Sequence, residues 1–164
     1  MDVTVRRAAP ADAAAVARVH VRSWQVGYRG LMDPDYLAAL DPDEWAQRYT
    51  FDVDTPVTLL AIEADRVVGH TTVSTAGQVG EVWSLYVDPE RWGNGIGGVL
   101  LAAATELLRA AGFDAAELWA LRGNERAMGF YRSKGWAPDG RVREERGRGG
   151  IVHVDECFVL SLNS

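Results

Sequence analysis

Leu85-Tyr86-Val87-Asp88-Pro89-Glu90-Arg91-Trp92-Gly93-Asn94-Gly95-Ile96-Gly97-Gly98 carries the chain from an apolar strand, through a turn, into four glycines within six positions. An alanine- and leucine-rich helix follows. Ile96, Val99, Leu100, Ala103, Leu107, Leu108 and Ala111 recur at helical spacing, and Gly112 stops the run. Glycines let a backbone approach a ligand closely, and a helix start presents N–H groups with no partner inside the helix. Together they make a place for an anion, most often a phosphate.

Outward from this connection the pattern alternates. Residues 3–8 read as a short strand, and Pro10-Ala11-Asp12 opens a helix that runs to about Arg22. Residues 23–50 hold Trp24, Tyr28, Tyr36, Trp45 and Tyr49, with short helices expected over Pro34–Leu40 and Pro42–Arg48. Pro56–Glu63 and Arg66–Ser74 are apolar runs flanking Ala64-Asp65, hence a hairpin, and Gly80–Val87 is the strand that feeds the glycines. Ala115–Leu121 reads as a strand and Asn124–Lys134 as a helix closed by Gly135. The tail reads as a strand near Trp136, a polar loop Gly140–Gly150 and a strand Ile151–Leu162. This order of elements predicts helices packed on one twisted mixed sheet.

Composition narrows the function. The 164 residues, 48% hydrophobic and 24% charged, fit a single domain over 1–164. A net charge of −6 disfavours a binder of the nucleic-acid backbone. The sole cysteine, Cys157, excludes an internal disulfide and a multi-cysteine metal site, and reads as a small core residue. His20, His70 and His153 are scattered and carry no metal signature, so no metal is expected. Without an apolar signal core or a run of about 18 apolar residues, no membrane association is expected and the expected location is the cytoplasm.

Letter for letter, Gly93-x-Gly95-x-x-Gly98 satisfies the dinucleotide-binding fingerprint. That fingerprint follows the first strand of a repeated βαβ unit, whereas here a meander of strands precedes it. The next strand ends in Leu121-Arg122-Gly123, without an acid to hold a ribose, and no second βαβ half follows. A different resemblance covers nearly the whole chain. Val87-Asp88-Pro89 followed by Trp92-x-x-Gly95-x-Gly97 resembles the acetyl-coenzyme A motif of the GNAT superfamily of N-acetyltransferases, written Q/R-x-x-G-x-G/A. Trp92 departs from that pattern at the Q/R position. Asn124-x-x-Ala127-x-x-Phe130-Tyr131-x-x-x-Gly135-Trp136 resembles the second GNAT signature.

The residues support a reading of their own. Asn124 and Tyr131 share one helix face about two turns apart, and Asn124 sits where an N-cap belongs. Phe130 and Ala127 face elsewhere and read as packing. The resemblance implies the rest. The fold is expected to be mixed α/β (α+β), a mostly antiparallel sheet of six or seven strands flanked by about four helices, with strands splayed at the acetyl-coenzyme A site. Cofactor contacts are expected from Leu85, Tyr86, Val87, Trp92, Gly93, Asn94, Gly95, Ile96, Gly97, Gly98, Asn124 and Tyr131. The pantetheine arm is expected along the backbone of Leu85–Val87 like an added strand, beside a bulge.

The implied activity is transfer of an acetyl group from acetyl-coenzyme A to a primary amine, by direct attack in a ternary complex. Tyr131 is then the acid that protonates the departing thiolate. An alkyl ammonium must first lose a proton, and Glu81, at the start of the feeding strand, is the candidate base beside a water chain. Trp24, Tyr28 and Trp83 are candidates to line the amine pocket by cation–π contact, though each singly also reads as core. The acceptor, small molecule or peptide, stays open, as does a longer acyl donor. Members of this family are often homodimers. The alternative is a non-catalytic acyl-coenzyme A sensor, which would keep the glycines without needing Tyr131 or Glu81.

Overall fold

The computed structural model describes residues 2–146 and 152–163. Its strands are β1 (Val3–Arg7), β2 (Val57–Glu63), β3 (Arg66–Ser74), β4 (Gly80–Val87), β5 (Ala115–Leu121), β6 (Ala137–Arg146) and β7 (Val152–Ser161). Its helices are α1 (Ala13–Gly27), α2 (Pro34–Ala38), α3 (Pro42–Ala46), α4 (Ile96–Ala110) and α5 (Glu125–Ser133). The strands form one sheet in the order β1-β2-β3-β4-β5-β7-β6. Only β4 and β5 pair in parallel, as the intervening α4 crossover requires.

The two long helices cover opposite faces of the sheet. Val16 and Val19 of α1 pack with Leu60 and Val67 on one face. Ile96 and Leu100 of α4 pack with Ala61 and Val68 on the other. Further along that second face, Leu101, Ala104 and Leu108 meet Val82, Leu118 and Phe158, and Met128 brings α5 into the same cluster. Adjacent strand residues such as Leu60 and Ala61 therefore serve different helices, as the two-residue strand period demands.

The sheet opens at one place. β4 pairs with β5 only through Gly80–Val82 against Ala116–Leu118; beyond that, the two strands diverge. On its other side β4 stays paired with β3, but Thr72 faces Ser84 while Val73 faces Val82. Trp83 is therefore an extra residue, a bulge that bends β4 away from β5. This is the splay that the resemblance led one to expect.

Several element bounds differ from the sequence reading. The first helix continues past Arg22 to Gly27, because Trp24 packs on His20 one turn earlier, with ring centroids 4.9 Å apart. The two short helices stop at Ala38 and Ala46 rather than Leu40 and Arg48. Five helices stand where about four were expected. The segment read as a polar loop from Gly140 is strand as far as Arg146, held by pairing with β7. The rest of that loop and Ile151 fall outside the described residues.

Candidate functional site

The mouth of the splay is built from local rules. Asp88 turns the chain after β4 by accepting the Glu90 N–H through its side chain at 3.1 Å. Gly93 and Gly95 then take left-handed backbone angles, φ 80° and 81°, which open the way into α4. Asn94 closes the loop by donating to the carbonyls of Arg91 and Trp92. Trp92 turns its indole back and donates to the Val87 carbonyl at 2.9 Å. Gly97 leaves room for Phe130: an added Cβ would meet that ring at 3.3 Å.

A cleft of about 420 Å³ fills the gap between β4 and β5. Leu85, Tyr86 and Val87 form one wall, and Trp92, Gly93 and Gly95 with Ile96, Gly97 and Gly98 form its floor. Asn124 and Tyr131 enter from α5, Tyr28 from the end of α1 and Trp83 from β4. Asn124 caps α5 by accepting the Ala127 N–H at 3.3 Å. Three candidates are not brought into the lining. Asn94 shapes the loop from outside. Trp24 packs behind Tyr28 and Tyr86, at 5.2 and 6.2 Å between centroids. Glu81 lies beside Glu117 in the parallel pair, short of the bulge.

Titration follows from these surroundings. Burial raises the Tyr131 phenol well above its ordinary range, with Tyr86 adding to the effect and Arg126 opposing it. Burial and then the neighbouring Tyr86 do the same for Tyr28. Glu81 is also raised, first by desolvation and then by Glu117, with Arg143 opposing. Tyr131 is therefore a neutral phenol at pH 7, able to give a proton.

The electrostatics of the cleft run against those of the chain. The whole protein carries a net charge of −6. The residues lining the cleft include Arg91, Arg126 and Lys134 and neither an aspartate nor a glutamate. Arg91 is paired with Glu63 at 2.7 Å, whereas Arg126 and Lys134 form no ion pair among the described residues. Sequence reasoning missed both. The signal was present: neither residue has an acid three or four positions away, where helical partners sit.

Residues 20–136 match the family model for the acetyltransferase (GNAT) family. An uncharacterized N-acetyltransferase of Bacillus subtilis, YuaI, is 30% identical over 148 residues, covering 87% of this chain and 83% of that protein. The chain belongs to the GNAT acetyltransferase family. By that membership it is an acyltransferase. A mycothiol acetyltransferase of Clavibacter michiganensis is 40% identical over 80 residues, 48% of this GNAT chain but only 26% of that protein. The fold is shared with the PaiA N-acetyltransferase of Thermoplasma acidophilum, solved in complex with coenzyme A. Its TM-score is 0.77 at 20% identity, over 98% of this chain and 99% of that one. Among the described residues no helix is long and apolar enough to cross a membrane. No group of three His, Cys, Asp or Glu among them could hold a metal ion.

Proposed function

We propose that this GNAT protein transfers an acetyl group from acetyl-coenzyme A to a primary amine by direct attack in a ternary complex. The observation that carries this reading is the cleft itself: a glycine loop at a helix start, cations without acids in the lining, and a half-buried phenol at the far wall. A polyanionic ligand with a long neutral arm fits that distribution of charge. Bound there, acetyl-coenzyme A would supply the activated thioester, and coenzyme A would leave as the thiol. The solved coenzyme A complex of the PaiA protein supports the same choice of donor.

Each residue then has a task. Backbone N–H groups of residues 93–98 and the start of α4 hold the phosphates. The β5-facing edge of residues 83–87 has no ladder partner, which leaves it free to bind the amide-bearing arm as an added strand. Backbone donors near Val87 hold the charge that develops on the carbonyl oxygen. Tyr131 holds its proton until the leaving sulfur needs it. Trp83, exposed at the bulge, and Tyr28 receive the amine, with Trp24 fixing the position of Tyr28. Glu81 takes the ammonium proton through intervening water, since its side chain stops short of the cleft; its raised basicity suits that work.

The test combines binding and turnover. Calorimetry with acetyl-coenzyme A should show one site, and an amine library screened for free thiol release should contain at least one working acceptor. Binding without thiol release from any amine would establish a sensor instead. Absence of binding would remove the coenzyme A reading altogether.

A further inference from the structure

Position 92 is where this loop departs from the GNAT pattern, and the structure places a specific side chain over it. The Arg126 guanidinium lies 3.7 Å from the centroid of the Trp92 ring. It also reaches the end of α1, where a Cβ added at Gly27 would sit 3.2 Å from its Nη2. The indole beneath it is itself fixed, through its hydrogen bond to the Val87 carbonyl. Arg126 is thus held by a flat, anchored platform at the entrance to the glycine loop, with its fork of donors available.

Nothing in the cleft answers its charge. Arg126 forms no ion pair among the described residues, and no carboxylate lines the cleft. Desolvation lowers its basicity, with Tyr28 and Tyr131 opposing. At the opposite end of the loop a Cβ added at Gly98 would lie 3.2 Å from Lys134 Nζ. The glycine loop is bracketed by two cations that form no ion pair among the described residues.

We infer that the guanidinium of the stacked pair Trp92–Arg126 binds an oxygen of the donor's diphosphate, beside the backbone N–H groups of the glycine loop. This rests on the cleft being the coenzyme A site. A guanidinium binds phosphate through two parallel N–H donors, and the indole keeps that fork in one plane. An acceptor carboxylate would offer the same oxygen chemistry, because Tyr28 and Tyr131 also lie near Arg126.

Calorimetry with coenzyme A, and with pantetheine, which lacks the phosphates, separates the cases without any acceptor. Arg126→Met is expected to weaken coenzyme A binding about 10- to 100-fold and leave pantetheine binding unchanged. Arg126→Lys should recover part of the loss, and Trp92→Leu should weaken coenzyme A in the same direction. An unchanged thermal midpoint for Arg126→Met verifies the fold. Unaltered coenzyme A affinity in Arg126→Met overturns the inference. Equal losses for both ligands overturn it as well. Failure of the unsubstituted protein to bind coenzyme A would instead overturn the reading of the cleft.

Discussion

His70 faces Tyr86 across the β3–β4 ladder, their rings 5.6 Å apart and inclined at 70°. His20 of α1 closes the box from above, 4.9 Å from Tyr86 and 6.3 Å from His70. Its Nδ1 shares a hydrogen bond with the Tyr49 hydroxyl. Its Nε2 and both nitrogens of His70 are buried without a partner among the described residues. Two neutral imidazoles therefore stand directly behind the cleft wall.

These imidazoles make folding sensitive to acid. Desolvation, with Arg48 adding to it, lowers His20 to about 4. Desolvation, with His20 adding to it, lowers His70 to about 3. In the unfolded chain both titrate at the ordinary value of about 6.5. Below that pH the unfolded state binds protons that the folded state refuses, so stability falls as pH falls. Each histidine contributes a slope of about 1.4 kcal/mol per pH unit until its own folded value is reached. Thermal midpoints measured from pH 7 to pH 4 are expected to drop steeply. His70→Leu should flatten that dependence and melt above the parent at pH 5. An equally steep profile in His70→Leu would refute this account.

Gly95 has φ 81°, and no atom lies within 4 Å of a Cβ built there. A substitution is opposed by the backbone alone. Gly95→Ala is expected to cost roughly 1–2 kcal/mol in urea denaturation, with Gly95→Asn costing less because asparagine tolerates the left-handed region. Equal stability of parent and Gly95→Ala would mean that the loop relaxes into another conformation.

Much of this architecture was legible because it is written in local rules. Arg66–Ser74, Gly80–Val87 and Ala115–Leu121 are apolar runs bounded by turn residues, and each is a strand with those bounds. The glycine-led helix was equally clear from its spacing. β6 was hidden because it is an edge strand whose alternation is of charges. Arg141 pairs with Glu117 at 2.7 Å and Arg143 with Asp155 at 3.3 Å, contacts that only the folded sheet supplies. The extension of α1 was hidden for a related reason, since Trp24 finds its partners on β4 and α3. The bulge at Trp83 leaves only a broken alternation between Val82 and Leu85. The placement of Glu81 outside the cleft follows from that bulge and from its pairing beside Glu117.

Cys157 is fully buried on β7, and Arg141 Nη2 lies 3.1 Å from its sulfur. Burial pushes the thiol up to about 11, with Arg141 opposing the shift. Iodoacetamide at pH 8 is expected to leave the native protein unmodified and to label it after unfolding in urea. Cys157→Ala should retain acetyl transfer, as a direct mechanism needs no thiol in the protein. Loss of transfer in that variant, together with an acetylated cysteine in the parent, would point to a covalent intermediate.

Tyr131 packs among Phe130, Trp136 and Phe158, with ring centroids 5.4 to 6.4 Å away. Those rings fix its position, and burial keeps its proton on. An acid must be protonated to act, so raising its pKa moves the alkaline fall in rate beyond pH 10. The parent should therefore show no loss of kcat from this group between pH 7 and 9. Tyr131→Phe preserves the packing and removes only the hydroxyl. It is expected to lower kcat about 10²- to 10⁴-fold, with coenzyme A affinity, read by calorimetry, nearly unchanged. The deficit should shrink for a thioester whose thiol is more acidic, because such a leaving group needs less protonation. Full activity of Tyr131→Phe with a working amine across pH 7 to 9 would remove Tyr131 as the acid. The leaving thiolate would then take its proton from solvent.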